Sequence, residues 1–227
     1  MFINKRHKWL FVQLPVVSHD LRENFAHVPY TSSLLSCFLR SVIKNIEIIW
    51  FDKKIETFGS DSMIIKTIVD IEPDVVCFSL YLWNVERSLY IARKLKEILP
   101  HVLVIIGGPE VNLDNEFILN LGGFDIGVIG EGELTLADIA NKLEFIKSKL
   151  DLPNCLDDVK IVEQKIFLYG RSIALNKIPL VYMDTDCISY DGSILIETLT
   201  QVCQNNRIFI KNLVDFVVQN VIICWNY

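Results

Sequence analysis

Five short apolar segments alternate with segments of helical spacing over residues 8–145, and this alternation constrains the fold more than any other feature. The apolar segments are Trp9–Leu14, Ile46–Phe51, Val75–Ser79, Val102–Ile106 and Ile126–Ile129. A short continuous apolar segment is typical of a strand buried on both faces. Five such strands joined by helices predict a parallel sheet with helices on both sides. Because crossovers are right-handed, we expect an α/β fold with a doubly wound, Rossmann- or flavodoxin-like sheet in the order 2-1-3-4-5.

A helix is indicated most clearly between the third and fourth predicted strands. Asn84 stands where a side chain caps the first turn of a helix, and Pro100 follows the predicted end. A second helix is predicted over residues 29–44, and three weaker ones over residues 61–71, 113–121 and 133–149. The apolar stripe of the clearest helix consists of Val85, Leu89, Ala92, Leu95 and Leu99.

The regular pattern weakens after about residue 150, which predicts a change in organisation. We expect one domain over residues 1–148, and a linker with an irregular C-terminal extension over residues 149–227. Within the extension, residues 164–175 are typical of a short hairpin around Gly170.

The composition argues against several classes of protein. Apolar residues make up 51% of the chain and charged residues 22%, which is typical of a folded protein with a full core. The formal net charge is −6, and no basic tract offers a surface for nucleic acid. No apolar segment reaches the roughly 18 to 20 residues that span a bilayer, and no signal-peptide cleavage site follows the first strand. We therefore expect a cytoplasmic protein that contacts neither nucleic acid nor a membrane.

Three neighbouring strand ends carry residues suited to a ligand site. The carboxyl ends of parallel strands meet at one edge of the sheet, so these residues converge. Glycine there lets a bulky ligand approach the backbone. A tight turn or a helix-packing aromatic would explain any one segment, whereas three side by side favour a ligand. The candidates are Ser79, Tyr81, Trp83 and Asn84 after the third strand, Gly107, Gly108, Pro109 and Glu110 after the fourth, and Gly130, Glu131 and Gly132 after the fifth.

The same segments resemble the cobalamin-binding domain of cobalamin-dependent radical S-adenosylmethionine enzymes. The resemblance rests on "PDVVCFSLYLWNVERSLYIARKLKEILP", "VIIGGPEV" and "DIGVIGEGELT", and it extends more weakly over residues 8–145. Cobalamin domains of this kind carry a DxHxxG loop, then an SxL segment, then a GG pair. Ser79-Leu80-Tyr81 stands at the SxL segment, and 25 residues separate Tyr81 from Gly107.

This resemblance implies cobalamin as the cofactor and a corrinoid as the small-molecule partner. The nucleotide tail would pass beside the sheet, where Gly107 and Gly108 would make room for it and Ser79 would hydrogen-bond near the lower base. Residues 130–132 would flank the same groove. The corrin face would rest against the loops after the first and third strands.

The loop after the first strand departs from the DxHxxG pattern. His19 is present, but Val17 stands in place of the Asp and Arg22 in place of the Gly. A metal-ligating histidine usually needs a carboxylate that fixes its tautomer, and Asp20 is adjacent to His19 rather than two positions before it. His19 is thus a candidate cobalt ligand, and an exposed loop histidine is the favoured alternative.

The segment that should lead into the catalytic barrel departs further from the family. Enzymes that it resembles hold a [4Fe–4S] cluster with CxxxCxxC, and the cluster binds S-adenosylmethionine. Cys203 stands near the first position, but Arg207 and Ile210 occupy the other two. The resemblance therefore implies a cobalamin-binding module that is not catalytic alone. Residues 149–227 would be a truncated or degenerate form of the segment that precedes the catalytic barrel.

Two alternatives stay open. In the first, a partner protein bound through residues 150–227 supplies the missing cluster, and together they form a radical S-adenosylmethionine methyltransferase. In the second, the chain is a flavodoxin-like scaffold that no longer binds a ligand. Cobalamin titration separates the second alternative from a cobalamin module, and co-purification of an iron–sulfur partner identifies the first.

Overall fold

The fold was analysed in a computed structural model, which describes residues 6–15, 30–145, 148 and 151–171. Strands and helices alternate through most of this part of the chain. The elements, in chain order, are β1 (His7–Val12), α1 (Tyr30–Val42), β2 (Ile46–Trp50), α2 (Lys53–Phe58), α3 (Asp61–Ile71), β3 (Val75–Ser79), α4 (Val85–Ile98), β4 (Leu103–Gly107), α5 (Glu116–Leu121), β5 (Ile126–Ile129), α6 (Glu133–Leu143), α7 (Leu152–Cys155), β6 (Lys160–Val162) and β7 (Lys165–Tyr169).

The strands form one sheet in the order β2-β1-β3-β4-β5-β7-β6. The first five strands are parallel and follow the predicted order 2-1-3-4-5, which confirms the doubly wound α/β fold. The expectation of only five strands is wrong. β7 pairs with β5 in parallel, and β6 pairs with β7 in antiparallel fashion. The sheet thus continues beyond residue 148, while the division into domains 1–148 and 149–227 stays a prediction.

The hairpin after residue 150 turns at a different place from the one that its sequence suggests. Its two turn residues are Glu163 and Gln164, with φ of 46° and 63°. Two consecutive residues with positive φ are the pattern of a type I′ hairpin turn. Gly170 instead follows β7, and its N–H donates to the carbonyl of Ile129, 2.7 Å away. Residues 172–227 lie outside the described residues.

Two apolar cores lie on opposite faces of the sheet. One contains buried side chains of α1, α6 and α7, and the other contains those of α3, α4 and α5. Along β3 the side chains alternate, so that Val75 and Cys77 join the first core and Val76 and Phe78 the second. Ser79 is next in this alternation, so its side chain faces α1 and α6.

Helix α4 has the predicted apolar stripe, and Val85, Leu89, Ala92 and Leu95 are all buried. The residue before it behaves differently from the expectation, because the Asn84 side chain makes no capping hydrogen bond to the first turn. No helix in the described ranges is long and apolar enough to cross a membrane.

Candidate functional site

The two glycines that end β4 have different structural reasons. Gly107 lies level with Ser79 of β3, and a Cβ added to Gly107 would meet only the carbonyl oxygen of Val128, at 3.8 Å. Gly108 has a φ of +112°, and its Cβ would overlap the backbone of Leu80, including the nitrogen at 2.9 Å. The fold itself therefore requires glycine at 108, whereas Gly107 leaves space beside the sheet.

Pro109 and Glu110 complete the turn after β4, and both are partly buried. The N–H of Val111 donates to the carbonyl of Gly108 at 3.1 Å. The carbonyl of Glu110 accepts from the side-chain amide of Asn115 at 2.9 Å. These hydrogen bonds hold the turn against the start of α5.

Asn84 joins the ends of two strands. It is 2% exposed, and its Oδ1 accepts from the N–H of Tyr81 at 2.8 Å. Its Nδ2 donates to the carbonyls of Leu14, at 2.8 Å, and Ser79, at 3.1 Å. Because both amide hydrogens and the oxygen are engaged, Asn84 positions the loops after β1 and β3.

An aromatic pair lies in the loop after β3. The rings of Tyr81 and Trp83 stack with centroids 4.6 Å apart and planes 9° apart. The Tyr81 hydroxyl is 3.0 Å from Oγ1 of Thr31 in α1, close enough for a hydrogen bond. Trp83 is 46% exposed, and Leu82, which separates the two aromatic residues in sequence, is 79% exposed. The loop thus presents a flat apolar surface, although the sequence pattern did not single out Leu82.

The loop after β5 is open on one side and fixed on the other. A Cβ on Gly130 would meet nothing within 4 Å, whereas a Cβ on Gly132 would lie 3.2 Å from Cδ2 of Leu35 in α1. Glu131 is exposed, and its backbone packs directly against Gly170, where any side chain would overlap it. The sequence pattern did not predict this contact between Gly170 and the loop after β5.

A buried polar layer lies on the face of the sheet that α1 and α6 cover. It consists of Gln13 and Ser79 at the strand ends, Ser32 in α1 and Thr135 in α6, each less than a tenth exposed. Within the described ranges, Oε1 of Gln13, Oγ of Ser32 and Oγ1 of Thr135 have no hydrogen-bond partner. Buried polar atoms are nearly always paired in folded proteins. Three unpaired polar atoms on the same face of the sheet therefore favour a ligand position there.

Glu133 lies in the first turn of α6, beside this layer. Burial raises the pKa of its carboxyl group, and the nearby charge of Glu131 raises it further. Hydrogen bonds from the backbone N–H groups of residues 132 and 133 lower the pKa, but burial is the larger effect.

The predicted metal ligand, His19, lies outside the described residues. In the part of the chain that the structure covers, no group of three or more His, Cys, Asp or Glu side chains could hold a metal ion. Cys77 is a core residue whose burial raises its thiol pKa.

Part of the candidate site lies within residues that match a known domain. Residues 37–140 match the family model of the B12 binding domain. The cobalamin-dependent radical SAM methyltransferase TokK of Streptomyces tokunonensis is 37% identical over 70 residues. The 2-(S-pantetheinyl)-carbapenam-3-carboxylate methyltransferase of Streptantibioticus cattleyicolor is 38% identical over 69 residues. Each alignment covers 30% of this chain, which spans about a tenth of the length of these curated relatives.

A solved structure has a similar fold. The apo form of the cobalamin-dependent S-adenosylmethionine radical enzyme OxsB has a TM-score of 0.51 and 19% sequence identity to this chain. The similarity covers 81% of this chain and 25% of that protein. At this identity it shows the fold alone.

Proposed function

Because residues 37–140 form a B12-binding domain related to those of cobalamin-dependent radical SAM enzymes, we propose that the chain binds a corrinoid at the carboxyl edge of its sheet. In this proposal it is the corrinoid-binding module of a radical SAM-type protein. The observation that carries the proposal is the buried polar layer: its member Ser79 lies level with Gly107, which leaves space beside the sheet, and three of its atoms have no hydrogen-bond partner among the described residues.

The polar layer fits the nucleotide tail of a corrinoid. A buried donor or acceptor without a partner costs about 1–3 kcal/mol, so three such atoms favour any ligand that supplies hydrogen bonds. The tail contributes phosphate, ribose and base atoms that can do so. Gly107 leaves the approach beside the sheet open, because only the Val128 carbonyl lies near its missing side chain.

The loops above the sheet fit the flat corrin ring. Trp83 and Leu82 offer exposed apolar surface, and the stack with Tyr81 keeps the indole in place. The hydrogen bond between Tyr81 and Thr31 joins this loop to α1. Gly130 adds an open position on the neighbouring loop. In this proposal Trp83 contacts the ring, while Asn84 and Gly108 hold the loops in position.

When bound, the corrinoid supplies cobalt chemistry, as a methyl carrier or in a radical rearrangement. The residues of this chain bind and orient it, and we assign none of them a catalytic role. An iron–sulfur cluster and S-adenosylmethionine are the further cofactors expected in relatives of this kind. In this chain, Arg207 and Ile210 stand at the positions where a CxxxCxxC motif would need its second and third cysteines. The proposal includes a cytoplasmic location. It also includes no nucleic-acid partner, and the net charge of −6 supports this second point.

The test is a visible-absorbance titration of the purified full chain with hydroxocobalamin and methylcobalamin. We expect colour that survives desalting and a spectrum in which the lower base has left the cobalt. The variant His19→Ala then tests whether His19 ligates the cobalt. We expect this variant to bind the corrinoid as the wild-type chain does.

Gly107→Val provides the matching variant. Residue 107 does not have a positive φ, and an added Cβ would overlap no neighbouring atom. The sheet should therefore form in this variant, while the added methyl groups obstruct the nucleotide tail. We expect at least a tenfold loss of corrinoid affinity. Gly122→Ala is the control, because it strains a residue with φ of +61° in the turn before β5 and lies away from the carboxyl edge. No binding by the folded wild-type chain would leave a scaffold without a corrinoid and refute the proposal.

A further inference from the structure

We infer that the polar layer selects the lower base of the corrinoid and favours adenine over dimethylbenzimidazole. The inference rests on the proposed corrinoid function and specifies the ligand of the same site. It is carried by the orientation of Gln13, by the positions of Ser32 and Thr135, and by the hydrogen-bonding groups that each base offers.

The strand alternation places the Gln13 side chain towards α1 and α6. Val12 and Leu14 both belong to the core on the opposite face, so the residue between them points the other way. Val12 is level with Phe78, which puts Gln13 level with Ser79. The backbone N–H of Gln13 donates to Oε1 of Glu56 at 2.7 Å, which fixes the chain at this point.

Two helix starts bring hydroxyl groups to the same level. Ser32 is the third residue of α1 and Thr135 the third residue of α6. Both helices follow parallel strands, so their first turns lie at the carboxyl edge of the sheet. Leu35 lies against Gly132, which brings these two first turns together. Ser32 and Thr135 are 1% and 5% exposed, so water does not compensate their unpaired oxygens from bulk solvent.

The two bases differ in what they offer to this layer. Dimethylbenzimidazole has two methyl groups and, once it has left the cobalt, one free ring nitrogen that accepts a hydrogen bond. Adenine has an exocyclic amine that donates and several ring nitrogens that accept. A glutamine amide pairs with adenine through two parallel hydrogen bonds, and serine and threonine hydroxyls serve as donor or acceptor. Dimethylbenzimidazole would leave the buried carbonyl oxygen of Gln13 without a donor, which disfavours its binding.

The experiment compares two corrinoids that differ only in the lower base. The full chain is titrated with hydroxocobalamin and with the corresponding adeninyl cobamide, and both dissociation constants are measured from the visible spectrum. We expect the adeninyl form to bind at least tenfold more tightly. Gln13→Met keeps the side-chain length and removes the amide, so it should bring the ratio of the two constants close to one. Gln164→Met makes the same change at the exposed hairpin turn and should leave the ratio unchanged.

A second variant protects the test against loss of folding. Thr135→Val has nearly the shape of threonine and removes only the hydroxyl, so it should reduce the preference in the same direction. If neither corrinoid binds the folded chain, the proposed function itself is refuted. If both bind and the ratio is near one in the wild-type chain, or if both variants leave a preference intact, the selection of the base is refuted while corrinoid binding stands.

Discussion

Glu133 is a carboxylate whose environment favours its protonated form. Burial raises its pKa, the charge of Glu131 adds to the rise, and backbone hydrogen bonds at the start of α6 only partly offset it. A folded-state pKa above the unfolded value means that the folded chain holds its proton to higher pH. Stability from this group is therefore present at low pH and is lost as the pH rises through the raised pKa.

We expect Glu133→Gln to remove this loss. The variant should gain stability relative to the wild-type chain at pH 7 and gain less at pH 4.5, because the raised pKa keeps more of the carboxyl group protonated at the lower pH in the folded chain. Urea unfolding at the two pH values measures the difference. Glu86→Gln, an exposed first-turn glutamate of α4, is the control and should not stabilise at pH 7. A Glu133→Gln variant destabilised equally at both pH values would contradict the expectation.

The sequence pattern singled out Ser79 and Gly107 as candidates because each stands at the carboxyl end of an apolar strand. It did not identify Gln13, Ser32 or Thr135. Each of these is a single polar residue within an apolar pattern, which is ordinary at a strand end or in the first turn of a helix. Their meaning depends on which helices cover which face of the sheet, and local spacing does not contain that information.

At the level of elements, the hairpin of β6 and β7 is tied to the site. Gly170 follows β7, its N–H bonds to the carbonyl of Ile129, and it packs on the backbone of Glu131. Arg171 also forms an ion pair with Asp138 of α6. The end of β7 therefore helps to hold the loop of residues 130–132 in place.

Gly170→Ala should disturb that loop, because the added Cβ overlaps the Glu131 backbone. We expect a loss of roughly 1–3 kcal/mol in the free energy of unfolding and a several-fold weaker corrinoid affinity. Gly123→Ala is the comparison: its Cβ would lie 2.7 Å from the backbone nitrogen of Arg93, and its φ of +88° adds strain, but it precedes β5 at the amino end of that strand. It should lose at least as much stability and keep its affinity. Equal affinity losses in the two variants would show that stability alone, and not the loop, determines binding.

The first five strands were predictable because each is a continuous apolar segment with a helix after it. β6 and β7 were not placed in the sheet, because Lys160–Val162 is short, and its first two residues are exposed. The pairing of Ile166 with Ile126 joins residues 40 positions apart, and it depends on the free edge that β5 presents. The hairpin turn was assigned to Gly170 because glycine is common in turns, but the turn residues are Glu163 and Gln164.

At the level of the whole molecule, the proposed ligand position connects parts of the fold that are distant in sequence. Gln13 follows β1, Ser79 and Gly107 end β3 and β4, and Ser32 and Thr135 come from two helices. These elements must be in place together for the polar layer and the space beside Gly107 to exist. A ligand bound there would therefore contact the folded chain and find no equivalent site in the unfolded chain, which is the condition for stabilisation by mass action.

We expect a corrinoid at 100 times its dissociation constant to raise the free energy of unfolding by about 2.7 kcal/mol. For a chain of this size, that corresponds to a rise of roughly 5–10 °C in the melting temperature. Thermal unfolding followed by circular dichroism, with and without hydroxocobalamin, measures it. Gly122→Ala should melt lower than the wild-type chain yet show the same rise. Gly107→Val, with its tenfold weaker affinity, should show no more than about half of that rise at the same corrinoid concentration. A chain that keeps its colour after desalting but melts at an unchanged temperature would place the corrinoid on a surface that unfolding leaves intact, and not at the strand ends.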